Sequence, residues 1–249
     1  MTKLTKEAVG SFNLNEPVRL NKFIADSGYC SRKKADVLIE EGKVKINGET
    51  AALGTKVMPE DEVVIDGQVL KRKTELILIA FNKPKGIECT TAKDNPDNII
   101  DFINYKELIY PIGRLDKNSR GLILLTNTGE IVNGILKSIN YHEKEYNVKV
   151  NKPVTKEFLK QMQEGIYLKE LKVKTRQCKI TQTGKDTFTI ILTQGLNRQI
   201  RRMCETLGYR VLDLERVRVM NIKLGNIPEG HYRNVTKGEI EKLLKDIEA

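Results

Sequence analysis

Tyr110-Pro111-Ile112-Gly113-Arg114-Leu115-Asp116-Lys117-Asn118-Ser119-Arg120 runs straight into Gly121-Leu122-Ile123-Leu124-Leu125, a polar loop feeding an apolar run of buried-strand length. A carboxylate on a loop at the mouth of a core strand is rigidly supported yet open to a substrate. Arg114 and Lys117 flank Asp116 and favour its ionised form. Spacing alone is met at least as well by a turn aspartate among basic surface residues. At this point Asp116 is a candidate and not yet a site.

Outward from that stretch the same texture continues. Leu76-Ile77-Leu78-Ile79-Ala80-Phe81 reads as a second buried strand, and a helix is predicted over 129–137. Further strands are expected at 145–150, 171–180, 187–193 and 209–220, with helices at 155–164, 197–207 and 236–247. The elements follow no regular βαβ rhythm, which predicts an α+β fold with a mixed, mainly antiparallel sheet flanked by helices. No internal repeat or low-complexity segment interrupts them.

Toward the N-terminus the chain changes character. Residues 1–17 are polar and end in Pro17, as a mobile leader would. Residues 18–73 read as one small α/β unit. Leu20, Phe23 and Ile24 share a face of a short helix that Gly28 can close. Ser31 can cap a second helix with an Ala35, Leu38 and Ile39 stripe ending at Gly42. Short strands follow at Val44–Ile46 and Glu62–Ile65, before Asn47-Gly48 and Asp66-Gly67 turns that tolerate positive φ. Lys71-Arg72-Lys73-Thr74-Glu75 reads as a linker to a second unit at 74–249. Arg32, Lys33 and Lys34 crowd the first turn of the second helix. Cations there oppose the helix dipole unless an anion is bound.

Composition narrows the function. The formal net charge is +10 with a pI of about 9.3, a surplus that favours an anionic partner because Lys and Arg on phosphates release counterions. Cys30, Cys89, Cys178 and Cys204 are widely spaced, and His142 and His231 are the only histidines. Neither a metal site nor a disulfide framework is suggested, and reduced thiols in a cytoplasmic protein are expected. The start of the chain has no apolar signal region, and no apolar run approaches the roughly 20 residues that span a bilayer. Neither GxxxxGK[ST] nor GxGxxG occurs, so no nucleotide cofactor is expected.

A second segment, Gln194-Gly195-Leu196-Asn197-Arg198-Gln199-Ile200-Arg201-Arg202-Met203-Cys204, predicts a helix capped by Asn197. Ile200, Met203, Cys204 and Leu207 form its buried side. Arg198, Arg201 and Arg202 point elsewhere, toward solvent or toward an anion such as a phosphate or a buried carboxylate. Lys144-Glu145-Tyr146 heads a strand, where Tyr146 could be an ordinary sheet aromatic.

Taken in order, Asn82-Lys83-Pro84-Lys85-Gly86, Gly113-Arg114-Leu115-Asp116 with Gly121-Leu122-Ile123-Leu124-Leu125-Thr126-Asn127, Lys144-Glu145-Tyr146, and Asn197-Arg198-Gln199-Ile200-Arg201-Arg202-Met203 resemble the motifs of RNA pseudouridine synthases of the RsuA/RluB/RluE/RluF group. Leu20-Asn21-Lys22-Phe23-Ile24 and Cys30-Ser31-Arg32-Lys33-Lys34-Ala35 resemble an S4 RNA-binding domain, which this group carries ahead of its catalytic domain. The resemblance covers nearly the whole chain from Val18. Tyr141-His142-Glu143-Lys144-Glu145-Tyr146 and the closing motif look most like the RluF type, which acts on large-subunit (23S) ribosomal RNA. Ser119 stands where Thr is common and Thr128 where Asp is frequent, changes that leave the nucleophile position untouched.

The resemblance implies a cofactor-free isomerase with Asp116, Tyr146 and Arg201 as catalytic residues. Asp116 is the nucleophile, Arg201 its salt-bridge partner, and Tyr146 stacks on the target base and takes or relays a proton. Arg114, Lys144, Arg198 and Arg202 are the implied substrate contacts, and Arg114 is placed to meet the flipped nucleotide's phosphate or fill its vacancy. Lys22, Arg32, Lys33 and Lys34 are the implied RNA contacts of the S4-like unit. Ribosomal RNA is the implied partner and a monomer the implied state. Two other readings compete. A non-catalytic RNA-binding or ribosome-assembly protein is one, and its mark would be a lost nucleophile, tyrosine or arginine. An aspartate-dependent glycosidic hydrolase is the other, and it would want a second carboxylate that the motifs lack.

Overall fold

The computed structural model describes residues 16–72, 75–92, 94–136 and 142–248. The expected leader lies outside these residues except for Glu16 and Pro17, as do Lys73 and Thr74 of the expected linker and Tyr141 of the quoted motifs. The chain forms two compact units. The first takes the chain through Ile77 together with Tyr105–Tyr110 and Thr126–Glu130, and the second comprises Leu78–Asn104, Pro111–Leu125 and the chain from Ile131 onward.

In the first unit, β1 (Val18–Arg19) leads into α1 (Leu20–Asp26) and α2 (Arg32–Glu40), followed by β2 (Val44–Ile46), β3 (Glu49–Thr50), β4 (Lys56–Val57), β5 (Val63–Ile65) and β6 (Gln68–Leu70). The Ser31 side chain accepts the Lys34 backbone N–H at 3.3 Å, so α2 starts where its cap predicts. The antiparallel sheet runs β3-β2-β5-β6. Its hairpins turn at Asn47-Gly48 and Asp66-Gly67, all four residues having positive φ. Leu20, Phe23, Ile24, Ala35, Leu38 and Ile39 pack against Val44, Val57, Val63, Ile65 and Leu70 in one apolar core.

Arg72, near the start of the expected linker, packs on this unit. Its side chain is largely buried, with Nη2 3.6 Å from the buried Asp26 carboxylate, so Arg72 itself folds back onto the unit. Thr126 and Asn127 also serve this unit. The Thr126 hydroxyl donates to the Ile77 carbonyl, the Asn127 side chain accepts from the Ile77 N–H, and Asn127 Nδ2 donates to the Glu75 carbonyl.

Beyond it come β7 (Leu78–Lys83), α3 (Ile99–Ile103), β8 (Tyr110–Pro111), β9 (Arg120–Thr126), α4 (Gly129–Leu136), β10 (Lys144–Val150), α5 (Lys156–Glu164), β11 (Tyr167–Leu168), β12 (Val173–Lys174), β13 (Lys179–Gln182), β14 (Thr187–Leu192), α6 (Gln199–Thr206), β15 (Val211–Val219), β16 (Ile222–Lys223), β17 (Tyr232–Asn234) and α7 (Lys237–Glu248). The main sheet runs β13-β14-β10-β15-β9-β7-β17. β9 and β15 are parallel, while β10 with β14, β10 with β15, β13 with β14 and β7 with β17 are antiparallel. The fold is α+β with a mixed, mainly antiparallel sheet.

Phe158 and Met162 of α5 and Ile200, Met203 and Cys204 of α6 pack on Val148, Val150, Phe188, Ile190 and Leu192. The strand expected over 171–180 is two pieces. Thr175 is buried and exchanges hydrogen bonds with Ile166, which closes β11 and β12 into a small hairpin and leaves β13 to the main sheet. No helix among the described residues is long and apolar enough to cross a membrane.

Between β10 and β15 the register shifts at Glu145/Tyr146: Glu145 faces Arg218, but Tyr146 faces Arg216. A bulge of this kind re-aims side chains. Here it sets Arg216 directly across from Tyr146, where an uninterrupted register would have placed Val217. On the other side Arg216 lies opposite Gly121 of β9. Gly121 has φ +103°, and a Cβ there would meet the Arg216 carbonyl oxygen at 2.4 Å, so only glycine fits.

Candidate active site

Asp116 occupies the loop that enters β9, and its neighbours are tied down one by one. The Leu115 backbone exchanges 3.3 Å contacts with the buried Cys89 thiol through both its N–H and its carbonyl. The Lys117 carbonyl accepts from the Gly86 N–H at 2.8 Å, and Ser119 N–H closes a turn onto the Asp116 carbonyl at 2.9 Å. The Asn118 carbonyl accepts from Arg201 Nη2 at 3.0 Å, and the fully buried Ser119 hydroxyl lies 3.1 Å from the same nitrogen. The Asp116 side chain is one-third exposed, between solvent and core.

Arg201 forms the expected ion pair with Asp116, but a long one. Its Nε lies 3.9 Å from Asp116 Oδ2, beyond hydrogen-bond distance, and that Nε has no hydrogen-bond partner. Its short contacts go to the loop that carries Asp116. Burial lowers the Arg201 pKa, the nearby Arg198 lowers it further, and the Asp116 charge opposes both. The arginine therefore braces the loop and supplies positive charge near the carboxylate.

The helix carrying Arg201 begins differently from the expectation. Arg198, not Asn197, is the N-cap residue of α6, in the left-handed region at φ 50° and without a side-chain cap. Asn197 instead faces Arg202, whose Nε donates to the Asn197 carbonyl at 3.1 Å. Arg202 is paired with Glu170 and does not line the cleft described next. Lys117, expected to support Asp116, binds Asp97 at 2.8 Å and Glu88 at 3.3 Å.

A cleft of about 630 Å³ gathers Arg114, Asp116, Lys144, Tyr146, Arg198 and Arg216, a volume within the range of small-ligand sites. Tyr146 packs its ring against the core beneath β10. Arg114 and Arg198 are exposed, while Lys144 is half-buried. None of the three forms an ion pair among the described residues. Burial, then the Arg216 charge, pulls the Lys144 pKa down to about 8. A site with these unpaired cations near a partly exposed aspartate and a half-buried tyrosine suits a phosphate-bearing ligand whose base lies flat.

A family model described as RNA pseudouridylate synthase matches residues 77–206. The chain belongs to that family. An S4 domain model matches residues 18–63 of this synthase. Dual-specificity RNA pseudouridine synthase RluF of Escherichia coli (strain K12) is 50% identical over 233 residues, which cover 93% of this chain and 80% of that one. Ribosomal large subunit pseudouridine synthase B of Bacillus subtilis (strain 168) is 36% identical over 232 residues, covering 90% and 95%. A pseudouridylate synthase crystal structure that is 32% identical aligns with a TM-score of 0.67 over 91% of this chain and 99% of that one. The synthase is therefore an isomerase of uridine in RNA, and its partner is RNA.

The S4 unit of the synthase presents Arg32, Lys33 and Lys34 exposed on the first turn of α2, which holds no acidic residue. Lys22 differs: its Nζ is 2.9 Å from the buried Asp26 carboxylate.

Two residues in or beside the cleft escape sequence reasoning. Lys83 is fully buried, donating to the carbonyls of Pro84 and Ile87 at 2.7 Å each, and burial lowers its pKa to about 8. It sits in the opening motif, but nothing in the pattern says that its ammonium is spent on holding backbone. Arg216 is 3% exposed. Its one sequence signal is a break in the alternation of the strand, where the apolar phase passes from Leu214 to Val217 and Val219.

Proposed function

We propose that this synthase converts a specific uridine of large-subunit (23S) ribosomal RNA to pseudouridine, with Asp116 as nucleophile and Tyr146 stacked on the flipped base. The observation that carries the reading is the shared cleft: a partly exposed carboxylate and a half-buried tyrosine among cations that have no carboxylate partner of their own. The reaction breaks the uracil N1–C1′ bond, turns the ring and joins C5 to C1′. Atoms and electrons are conserved, so the chemistry requires no cofactor. Chemistry on a stacked base is sterically blocked, and flipping the target out costs a few kcal/mol. Stacking on Tyr146 and phosphate contacts to Arg114, Lys144 and Arg198 offset that cost.

Arg201 acts in this reading as a positioning residue, and Arg202, engaged by Glu170, orients the start of α6. Arg32, Lys33 and Lys34 give the S4 unit its phosphate contacts, while Lys22 contributes through the Asp26 pair to the shape of α1. The relative named for the ribosomal large subunit supports the substrate assignment, and the reading includes a monomeric protein that acts in the cytoplasm.

The test is incubation of the full chain with unmodified 23S ribosomal RNA, and separately with transfer RNA, followed by carbodiimide labelling and primer extension. A new stop at one ribosomal site is expected. Asp116→Ala is expected to abolish the stop while RNA affinity stays within about threefold. Absence of any stop with the wild type would favour the non-catalytic RNA-binding reading, and parallel loss of binding in Asp116→Ala would make that residue structural.

A further inference from the structure

Arg216 is the most deeply placed charge lining the cleft. It is 3% exposed, its Nε donates to the Leu122 carbonyl at 2.7 Å, and its Nη2 is buried without a hydrogen-bond partner among the described residues. No carboxylate pairs with it among the described residues. A buried charged donor left unsatisfied is costly, and a polar group that arrives later would satisfy it. The surrounding backbone is built to keep it. The bulge in β15 sets Arg216 opposite Tyr146 on the neighbouring strand, and Gly121 lets the β9 backbone approach it closely.

Depth sorts the cleft by the part of a nucleotide each residue can reach. Arg114 and Arg198 are exposed, within reach of a phosphate at the mouth. Asp116 is one-third exposed, at the level of the sugar. Arg216 lies deeper than either, across the strand pair from the tyrosine that stacks on the base. A backbone phosphate cannot follow it there, but a flat ring can.

On the reading of the reaction given above, we propose that Arg216 is a catalytic residue that receives the displaced uracil, its free Nη2 donating to a ring carbonyl oxygen. When N1–C1′ breaks, the bonding pair stays on N1, and the ring carries one negative charge spread over N1, O2 and O4. C1′ is left electron-poor beside Asp116. The ring then turns, C5 supplies the pair for the C5–C1′ bond, the C5 proton leaves to a base and N1 regains a proton. Between the two bonds the uracil is an anion. A donor fixed in advance at its oxygens stabilises that anion without reorganisation, an effect of about 10²–10³-fold in rate for a single donor. The Leu122 bond fixes the guanidinium plane while the ring rotates past it.

The experiment compares wild type, Arg216→Gln and Arg216→Lys in single-turnover reactions on 23S ribosomal RNA. The RNA is transcribed with either uridine or 5-fluorouridine, and loss of the target nucleotide is followed. Fluorine withdraws charge from the ring, so 5-fluorouracil leaves with less help. Arg216→Gln should lose about 100-fold or more with uridine and about tenfold or less with 5-fluorouridine, with RNA affinity within about threefold. Arg216→Lys should fall between.

Equal losses on both RNAs would make Arg216 a purely structural support of Leu122 and overturn the proposal, as would variants as fast as wild type. A wild type that consumes neither RNA would instead sink the assignment of activity, and this proposal with it. Thermal melting checks the fold, and if Arg216→Gln does not fold, the Arg216→Lys comparison across the two RNAs decides alone.

Discussion

Arg201→Ala separates the two jobs this arginine could do. Its Nη2 lies 3.0 Å from the Asn118 carbonyl and 3.1 Å from the Ser119 hydroxyl, and Ser119 is fully buried, so water cannot replace the lost donor there. Two charge-assisted bonds are worth about 1.5–3 kcal/mol each, less what is regained by no longer burying a guanidinium. The 3.9 Å contact to Asp116, whose side chain is one-third exposed, adds about 0–1 kcal/mol after screening. The net is about 2–4 kcal/mol, a fall in Tm of roughly 5–15 °C for a chain this long. A shift of about 1 Å in the Asp116 loop then costs about 10²-fold in rate, with KM little changed.

Arg201→Lys keeps the charge but reaches one acceptor at most. About half of the lost Tm should return and little of the rate. Calorimetry beside single-turnover isomerisation reads both quantities. A fully active Arg201→Lys, or a large rate loss with no loss of Tm, would show that charge on Asp116 and not bracing of its loop is what Arg201 provides.

Gly121→Ala should cost at least about 3 kcal/mol, because a Cβ at φ +103° and 2.4 Å from the Arg216 carbonyl forces the parallel β9–β15 pair apart; a Tm within 2–3 °C of wild type would contradict the packing described. Lys144 has its pKa lowered from 10.5 to about 8, so its positive charge is present below that pH and lost above it. If the ammonium holds RNA, kcat/KM should fall as pH rises through about 8, and Lys144→Arg should remove that fall, which a pH–rate profile checks. The stability sign is opposite: the cost of the buried charge is full below about pH 8 and disappears as pH rises toward 10.5, so Lys144→Met should melt higher than wild type at pH 7. Replacing Arg32, Lys33 and Lys34 by Ala should make the plot of log affinity against log salt shallower by roughly 2, without changing which uridine is converted.

Local chemistry written in the chain determined most of the fold. The α1 and α2 stripes, the Ser31 cap, the Asn-Gly and Asp-Gly turns and the apolar runs that form β7 and β9 are short-range signals, because capping, turn geometry and periodicity depend on neighbours a few residues away. The motif order named the family and put Asp116, Tyr146 and Arg201 forward. Tertiary structure alone decided what each cation does. Arg202 meets Glu170, Lys117 meets Asp97 and Glu88, Lys22 meets Asp26, and Arg72 turns inward, whereas Arg114, Lys144 and Arg198 line the cleft with no ion pair among the described residues. A charge carries no periodic signature of its partner, which can lie a hundred residues away. Arg216 shows the limit: one extra residue in β15 sets its register against Tyr146, and register is a property of two strands together.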